Sequence, residues 1–530
     1  MALRVACARE ETYRESGIDE SVTRGSLCLN SLQRLLVNCS WTIFSDVMTA
    51  RLEPLPVGFL DAVTAVVGAA QIRTDDASRQ SYGVDALGLV RGIPATAIVF
   101  PGSTAEVSAV TRLCHEHHVP VTPRGAGTGY TGGAVPTHGG VVLSLERLNR
   151  ILAIDPPNLL AVVEPHVVTA VLQEAVERRG LFYPPDPASS RRSVIGGNVA
   201  ECAGGPRAFK YGTTKRYVLG LEAVLPTGEV IKTGGRTVKN VVGYDLTQLL
   251  VGSEGTLAIV TKITLRLIPL PPARTTVRAL FSSVRAATEA VGRLVSDRVV
   301  PAALELIDKE CVEAVRRLYD EPSAVENGPA RQHLDIPPDT GAMLLVEVDG
   351  FETSVKEESA RVTRACSAAG ATDVRTALTG EERDRLWEAR RGLSLALRSL
   401  APRKINHDVV VPTAAIPQLF EAISEIRATA QLPMPSFGHV GDGNIHVNIL
   451  VDPADTDAME RAAAAERALF ERVVALGGSL SGEHGIGFSK ARFLHLELSA
   501  STIALMRRLK QAFDPHGVLN PGKIFPDEEA

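Results

Sequence analysis

The sequence predicts an α+β fold in two domains, the second built on a mixed or antiparallel sheet with helices covering one face. Three observations predict it. From about residue 52, short apolar strands alternate with amphipathic helical stretches. Two runs rich in glycine or proline, 123–133 and 183–205, interrupt that alternation. A proline-marked boundary, "RLIPLPPAR" at 266–274, precedes two strand–loop–helix units. At 530 residues, 45% hydrophobic and 22% charged, the chain is long enough for more than one core.

Taken in order, residues 1–47 look unlike the rest and hold three of the seven cysteines. They are expected to be poorly ordered or to come from a misplaced start codon, with Met48 the natural beginning. In 48–270, "TAIVFPGSTAEVSAVTRLCHEHH" reads as strand, turn and helix, with Ser103 or Thr104 as cap and Glu106 in the first turn. "GVVLSL" and "LLAVVEPHV" read as strands, and "VTAVLQEAVERRG" as a helix. In 271–500, "TTVRALFSSVRAATEAVGRLVS" and "GAMLLVEVDGFETSVKEESARVTRAC" repeat one strand–loop–helix theme, which suggests a mixed sheet with helices on one face. Residues 501–530 close the chain with the loop-like "FDPHGVLNPGKIF".

Bulk properties exclude several classes. A net charge of −5 offers no basic footprint for nucleic acid. No apolar run approaches the roughly 18 residues of a membrane helix. The cysteines are scattered and form no C-x-x-C pair, so iron–sulfur, haem-attachment and zinc-knuckle sites lack ligands. Such dispersed thiols suit a reducing, cytoplasmic setting, with membrane contact only through a partner.

Chemistry concentrates in four places. "PRGAGTGYTGG" (123–133) carries five glycines, which let successive N–H groups point at one anion. It leads into a strand and lacks a following Gly-Lys-Ser/Thr, so it fits neither a Rossmann turn nor a P-loop. A second cluster, 183–205, sets Ser189, Ser190, Ser193 and Asn198 among glycines and prolines, as a large polar ligand would need. "GHVGDGNIHVN" reads as a hairpin turning at Asp442-Gly443. That register pairs His439 with His446 on one face, their Cβ atoms about 5 Å apart. Asn444 and Asn448 share the face, while Val440, Ile445 and Val447 point to the core. An ordinary hairpin with satisfied histidines is the plainer alternative. "LSGEHGIG" shifts the balance, since Glu483 can be a third metal ligand and His484 a base.

"PRGAGTGYTGG", "PPDPASSRRSVIGGNVA", "NVVGYDL" and "GSEGTLAIVTKI", in that order, resemble the PCMH-type FAD domain of the vanillyl-alcohol oxidase superfamily. The stretch 271–525, with "FGHVGDGNIHVN", "SGEHGIG" and "FDPHGVLNPGKIF", resembles the cap of FAD-linked D-2-hydroxy-acid dehydrogenases acting on D-lactate, glycolate or D-2-hydroxyglutarate. The resemblance implies a two-subdomain FAD domain over 48–270, a cap over 271–500 and a C-terminal segment returning to the flavin. It implies non-covalent FAD, because 124–133 has no histidine and only Cys202 could form a link. The pyrophosphate would lie on Pro123, Arg124, Gly125, Ala126, Gly127, Thr128 and Gly129. Glu254, Gly255 and Ile259 would lie on the adenine side, and Pro184, Asp186, Ser190, Gly197, Asn198 and Asn520 near the flavin.

By the same analogy His439, His446 and Glu483 hold a divalent ion, with zinc the expected one. Asn448 and His484 contact substrate, and Arg390 and Lys404 look like carboxylate-binding cations. His407 stands where the family often has an acid. The implied reaction oxidises a 2-hydroxy acid of the D-lactate or glycolate class by metal-assisted proton removal and hydride transfer to flavin N5. With no further redox centre in the chain, electrons leave to a quinone-linked subunit, a cytochrome or an electron-transfer flavoprotein; a homodimer is compatible with this. Two alternatives remain: a non-catalytic FAD subunit of a glycolate oxidase-type complex, and a metal hydrolase using the two histidines and the glutamate.

Overall fold

The computed structural model describes residues 52–89, 91–320 and 334–525, so the expectation for 1–47 lies outside the described residues. The first apolar strand, Ala97–Val99, is wholly buried and turns into the helix Thr104–Glu116. Ser103 caps that helix by accepting the Glu106 N–H at 3.2 Å. Its apolar stripe of Val107, Val110 and Cys114 packs on a four-stranded sheet ordered Ile72–Arg73, Ala97–Val99, Val141–Ser144, Val121–Arg124. The last two strands pair in parallel, and the glycine run 125–133 lies between them in the chain. It returns as a strand, as its sequence predicts.

A second sheet of the first half is antiparallel throughout, ordered Ile151–Asp155, Leu160–Val163, Ile259–Arg266, Val218–Val224, Val230–Gly234. The helix Thr169–Glu177 buries Leu172 and Val176 in its core.

The second half is one seven-stranded sheet ordered Asp373–Thr376, Ala273–Phe281, Ala342–Gly350, Ala303–Asp308, Ser436–His439, Asn444–Val451, Arg403–Val410. Every neighbouring pair is antiparallel, one of the two arrangements expected. The strands of the two strand–helix units, Ala273–Phe281 and Ala342–Gly350, pair with each other, and Ala303–Asp308 lies on the far side of Ala342–Gly350.

Helices also cover both faces rather than one. Leu304, Leu306, Leu344 and Val346 pack with helices Val284–Ser296, Glu352–Ala368, Ile416–Ala430 and Thr456–Ala475. Leu280, Ile307 and Met343, on the other face, pack with Lys309–Asp320 and Gly380–Arg398. The cause is legible in strand burial. Ala303–Asp308 is buried at every position, so neither face could be left to water. The part of the second face free of helices carries His439 and His446 into a cavity, with Glu305 buried behind them.

The C-terminal segment crosses back to the first half. Val121 N–H donates to Val518 at 2.8 Å, and Asn520 N–H donates to Val121 at 2.8 Å. Leu344 is fully buried in the sheet–helix core, whereas Phe351 is 74% exposed. Leu344→Ala should cost about 2–5 kcal/mol of stability, and Phe351→Ala less than about 0.5 kcal/mol. Urea unfolding of the two variants checks this.

Candidate active site

A single cavity of about 810 Å³ joins the glycine run to the free part of the seven-stranded sheet. Pro123, Arg124, Gly125, Ala126, Gly127, Thr128 and Gly129 line it from one side. Asp186, Ser190, Gly197, Asn198, Glu254, Gly255 and Ile259 line it from the same half of the chain. Pro184 does not, and neither does Asn520, which acts one layer back: its Nδ2 donates to the carbonyls of Gly133 (2.9 Å) and Glu254 (2.8 Å). Arg124 is buried behind the glycine run, its guanidinium 5.5 Å from the Tyr82 ring and donating to the Ala134 carbonyl at 3.3 Å. A buried cation behind a loop without Cβ atoms suits a diphosphate. Cys202 does not line the cavity; its Sγ faces Thr213 Oγ1 at 3.3 Å.

The hairpin register differs from the expected one. His439 lies opposite Asn444, and His446 opposite Phe437, around a four-residue turn, Val440 to Gly443. Val440 is drawn fully into the core, and Gly443 (φ +84°) lets the Val411 carbonyl approach where a Cβ would stand 1.9 Å away. Those two packings widen the turn beyond the type I′ geometry. The pairing slips by two residues, so both histidines keep the same face. Their rings stand 5.3 Å apart at 87°.

Glu483 completes the group. Its Oε1 lies 3.5 Å from His439 Nε2 and 3.5 Å from His446 Nε2. One donor atom from each residue falls within 4.8 Å of the others. Behind them stands Glu305, fully buried, which accepts from His439 Nδ1 and from Arg390 Nε. Sequence reasoning missed Glu305; its signal was an acid inside the apolar strand "ALELID". Burial alone would lower His439, but Glu305 and then Glu483 outweigh it and hold the imidazole up at about 10. His446 is pushed down to about 3 by burial, which outweighs Glu483. Burial opposes ionisation of Glu483, yet the three histidines bring it down to about 2.

His484 is set by a second buried acid. Asp408 Oδ2 accepts the N–H groups of Gly482 (2.9 Å), Glu483 (2.7 Å) and His484 (2.9 Å), while its Oδ1 lies 3.5 Å from His484 Nδ1. Lys490 Nζ pairs with the same carboxylate. Burial works against this anion, but His484, Lys490 and the N–H bonds keep it ionised, well below the usual carboxylate range. The His484 ring stacks between Tyr130 (5.2 Å) and His446 (5.3 Å).

The loop is anchored to the first half as well. Glu254 takes the Ile486 and Gly487 N–H groups at 2.7 Å each, so this expected adenine-side residue has its carboxylate engaged by protein. A Cβ on Gly132 would meet the Phe488 ring at 2.1 Å, so only glycine permits that approach.

Arg390 and Lys404 both line the cavity. Lys404 Nζ donates to Ser394 Oγ at 3.3 Å and is pushed down to about 8, by burial first and by Arg398 second. Asn448 is not where the resemblance puts it. It is fully buried, donates to the Pro435 and His446 carbonyls, and accepts from Asn406 Nδ2 at 2.8 Å. Asn406 is the member of that pair on the cavity wall. His407, on the opposite face of its strand, packs on Phe470 and lies 3.5 Å from Glu466.

Asp408→Asn would turn an amide toward several donors at once. It should cost about 3–5 kcal/mol and speed amide exchange at 482–484. Melting curves with hydrogen–deuterium exchange would show both.

Comparison with known proteins fits this architecture. Residues 95–234 match the family profile of the FAD binding domain, and residues 270–524 that of the FAD linked oxidases, C-terminal domain. The glycolate oxidase subunit GlcD of Bacillus subtilis (strain 168) is 41% identical over 460 residues, 87% of this chain and 95% of that protein. The D-lactate dehydrogenase of Archaeoglobus fulgidus is 38% identical, covering 81% of this chain and 90% of its own length. Among solved structures, p-cresol methylhydroxylase with substrate bound superposes with a TM-score of 0.73 at 19% identity, over 90% of this chain and 98% of that one. That likeness shows the fold, as the glycine-rich loops predicted. Both halves and the loops between them thus agree, and the chain belongs to the FAD-linked oxidases, the family of glycolate oxidase subunit GlcD and these D-lactate dehydrogenases.

Proposed function

We propose that the protein is an FAD-dependent dehydrogenase that oxidises a 2-hydroxy acid to the 2-oxo acid with a divalent ion, zinc by preference, and passes electrons to a separate acceptor. One observation carries it: the same cavity holds the glycine-rich cradle on one wall and His439, His446, Glu483, His484 and Arg390 on another. The relatives' names, glycolate oxidase and D-lactate dehydrogenase, point to the same substrate class.

The residues fit both groups. Tetrahedral zinc with bonds of about 2.0–2.2 Å sets its donors about 3.4 Å apart; two of the three separations here are 3.5 Å and the third is within 4.8 Å. Glu305 on His439 Nδ1 is the outer carboxylate that orients a ligating imidazole. When bound, FAD supplies the two-electron acceptor and the ion a Lewis acid for the substrate hydroxyl. Arg390, steadied by Glu305 and lying over the Phe437 ring at 4.6 Å, holds the substrate carboxylate. His484 takes the hydroxyl proton, its ring held by Asp408 and between two aromatic neighbours. Loss of that proton together with a hydride from the same carbinol leaves the 2-oxo acid.

The decisive experiment mixes the purified holoenzyme anaerobically with D- and L-2-hydroxy acids, with and without chelator. At least one acid should bleach the flavin absorbance, and chelation should slow bleaching at least tenfold. A colourless protein would leave the metal-hydrolase reading instead, and an unchanged rate after chelation would remove the metal from the mechanism.

A second test reads the metal alone. An incoming ion must displace the proton that His439 holds up to about 10, whereas His446, at about 3, and Glu483, at about 2, are already deprotonated. Zinc affinity should therefore rise with pH, about tenfold per unit between about pH 6 and 9. Glu305→Gln should weaken it about 10–100-fold. Competition with a chromophoric chelator measures both.

A further inference from the structure

One acid beside the glycine run has no task in the site described above. Glu201 ends the helix Ile195–Glu201, whose Gly197 and Asn198 also line the cavity. Its Oε2 is buried without a hydrogen-bond partner, and the carboxyl makes no ion pair among the described residues. By contrast Glu305, Asp408 and Glu254 each have two or more protein partners. A buried carboxyl without donors is costly as an anion.

Its neighbours say where it lies. A Cβ on Gly133, at the end of the glycine run, would stand 2.8 Å from Glu201 Oε1. A Cβ on Gly485, in the loop that carries His484, would stand 2.2 Å from Oε2. The carboxyl therefore sits where the cradle meets that loop, on the wall of the cavity that Gly133 and His484 also line.

The same Gly485 Cβ would meet Glu254 Oε1 at 2.9 Å, so two carboxyls crowd one space. Like charges so placed disfavour each other, and one group keeps its proton. Burial raises both. Glu254 has the Ile486 and Gly487 N–H groups to hold it as an anion, and Glu201 has no donor, so the proton stays on Glu201. After burial, Glu254, Asp85 and Asp408 press Glu201 the same way, against Lys490, which is itself paired with Asp408.

A neutral carboxyl on a cavity wall offers one O–H donor. No described protein group takes it, so the acceptor belongs to what fills the cavity. The hydroxy acid has its own anchor in Arg390, on the wall built by the seven-stranded sheet and its helices. FAD has to reach from the diphosphate cradle to the reacting end, and Glu201 stands between the two. The isoalloxazine carries ring nitrogens and carbonyls that accept hydrogen bonds.

We propose that Glu201 donates its carboxyl O–H to the isoalloxazine of bound FAD and thereby sets the reduction potential of the flavin. The donor matters most when the ring holds the added electrons, because a hydrogen bond to an anion is roughly twice as strong as one to a neutral group. It therefore favours the reduced flavin. This rests on the FAD of the reading above and is indifferent to which acid is oxidised.

The test is an anaerobic redox titration of the holoenzyme, with dithionite as reductant and dyes of known potential as reference. Glu201→Leu and Glu201→Ala remove the donor and should disfavour reduction at least tenfold, about 30 mV for a two-electron couple. Glu201→Gln keeps an N–H donor and should recover most of that loss. Flavin absorbance and melting temperature report that each variant folds and holds FAD. A second measurement needs no donorless variant. Infrared difference spectra between oxidised and reduced native protein should show a protonated-carboxyl stretch that moves with the flavin's state and is missing in Glu201→Gln. A potential unmoved in the Leu and Ala variants, or a native spectrum without that band, would overturn the role of Glu201 while leaving the flavin reading standing. A colourless protein would overturn both.

Discussion

The Asp408 carboxylate is the interaction on which the site depends. Fully buried, it gathers three consecutive backbone N–H groups, the Ser481 hydroxyl, the Lys490 ammonium and the nearby His484 ring. A buried carboxylate persists only when its oxygens are satisfied this fully. Without it, the N–H groups of residues 482–484 would lose the acceptor that fixes them. With it, Glu483 is delivered to the two histidines and His484 is turned into the cavity. A single strand residue thereby fixes Glu483 and His484, which belong to a loop 75 residues further on.

The same loop closes the gap between the two halves of the chain. Glu254 holds it by two N–H groups, although Glu254 itself sits at φ +53°, a region most side chains avoid. Asn520 takes the Glu254 carbonyl, and its own N–H returns to the strand that begins the glycine run. On the loop, Gly485 (φ +77°) leaves room for the Glu201 and Glu254 carboxylates, which a Cβ would meet at 2.2 and 2.9 Å. So the cradle, the loop and the C-terminal segment are tied through a few shared groups. Moving one of them moves the wall on which the hydroxy acid would rest.

Much of this was legible. Local chemistry declared itself: Ser103 caps the helix its position predicts, and the glycine run returns as a strand. The two histidines share a face because strand periodicity survives a two-residue slip. Failures came where distant packing decides. The turn widened because Gly443 abuts Val411, a contact that no window of ten residues shows. Glu305, inside an apolar strand, and Asp408, inside a polar one, escaped for the same reason: only the assembled sheet shows what each carboxylate serves.

Environment also divides like groups into unlike roles. Three histidines lie within one cluster, yet each faces different partners. His439 stands between two carboxylates, which hold its proton on. His446 sits between rings and is held neutral, its lone pair available. His484 has a carboxylate behind it and the cavity before it, the arrangement of a base. The carboxylates divide likewise. Glu483 is the one that faces the histidine nitrogens, whereas Glu305 accepts from the His439 imidazole behind it and Asp408 lies 3.5 Å behind that of His484. Unlike surroundings thus give identical side chains different protonation states within one small volume.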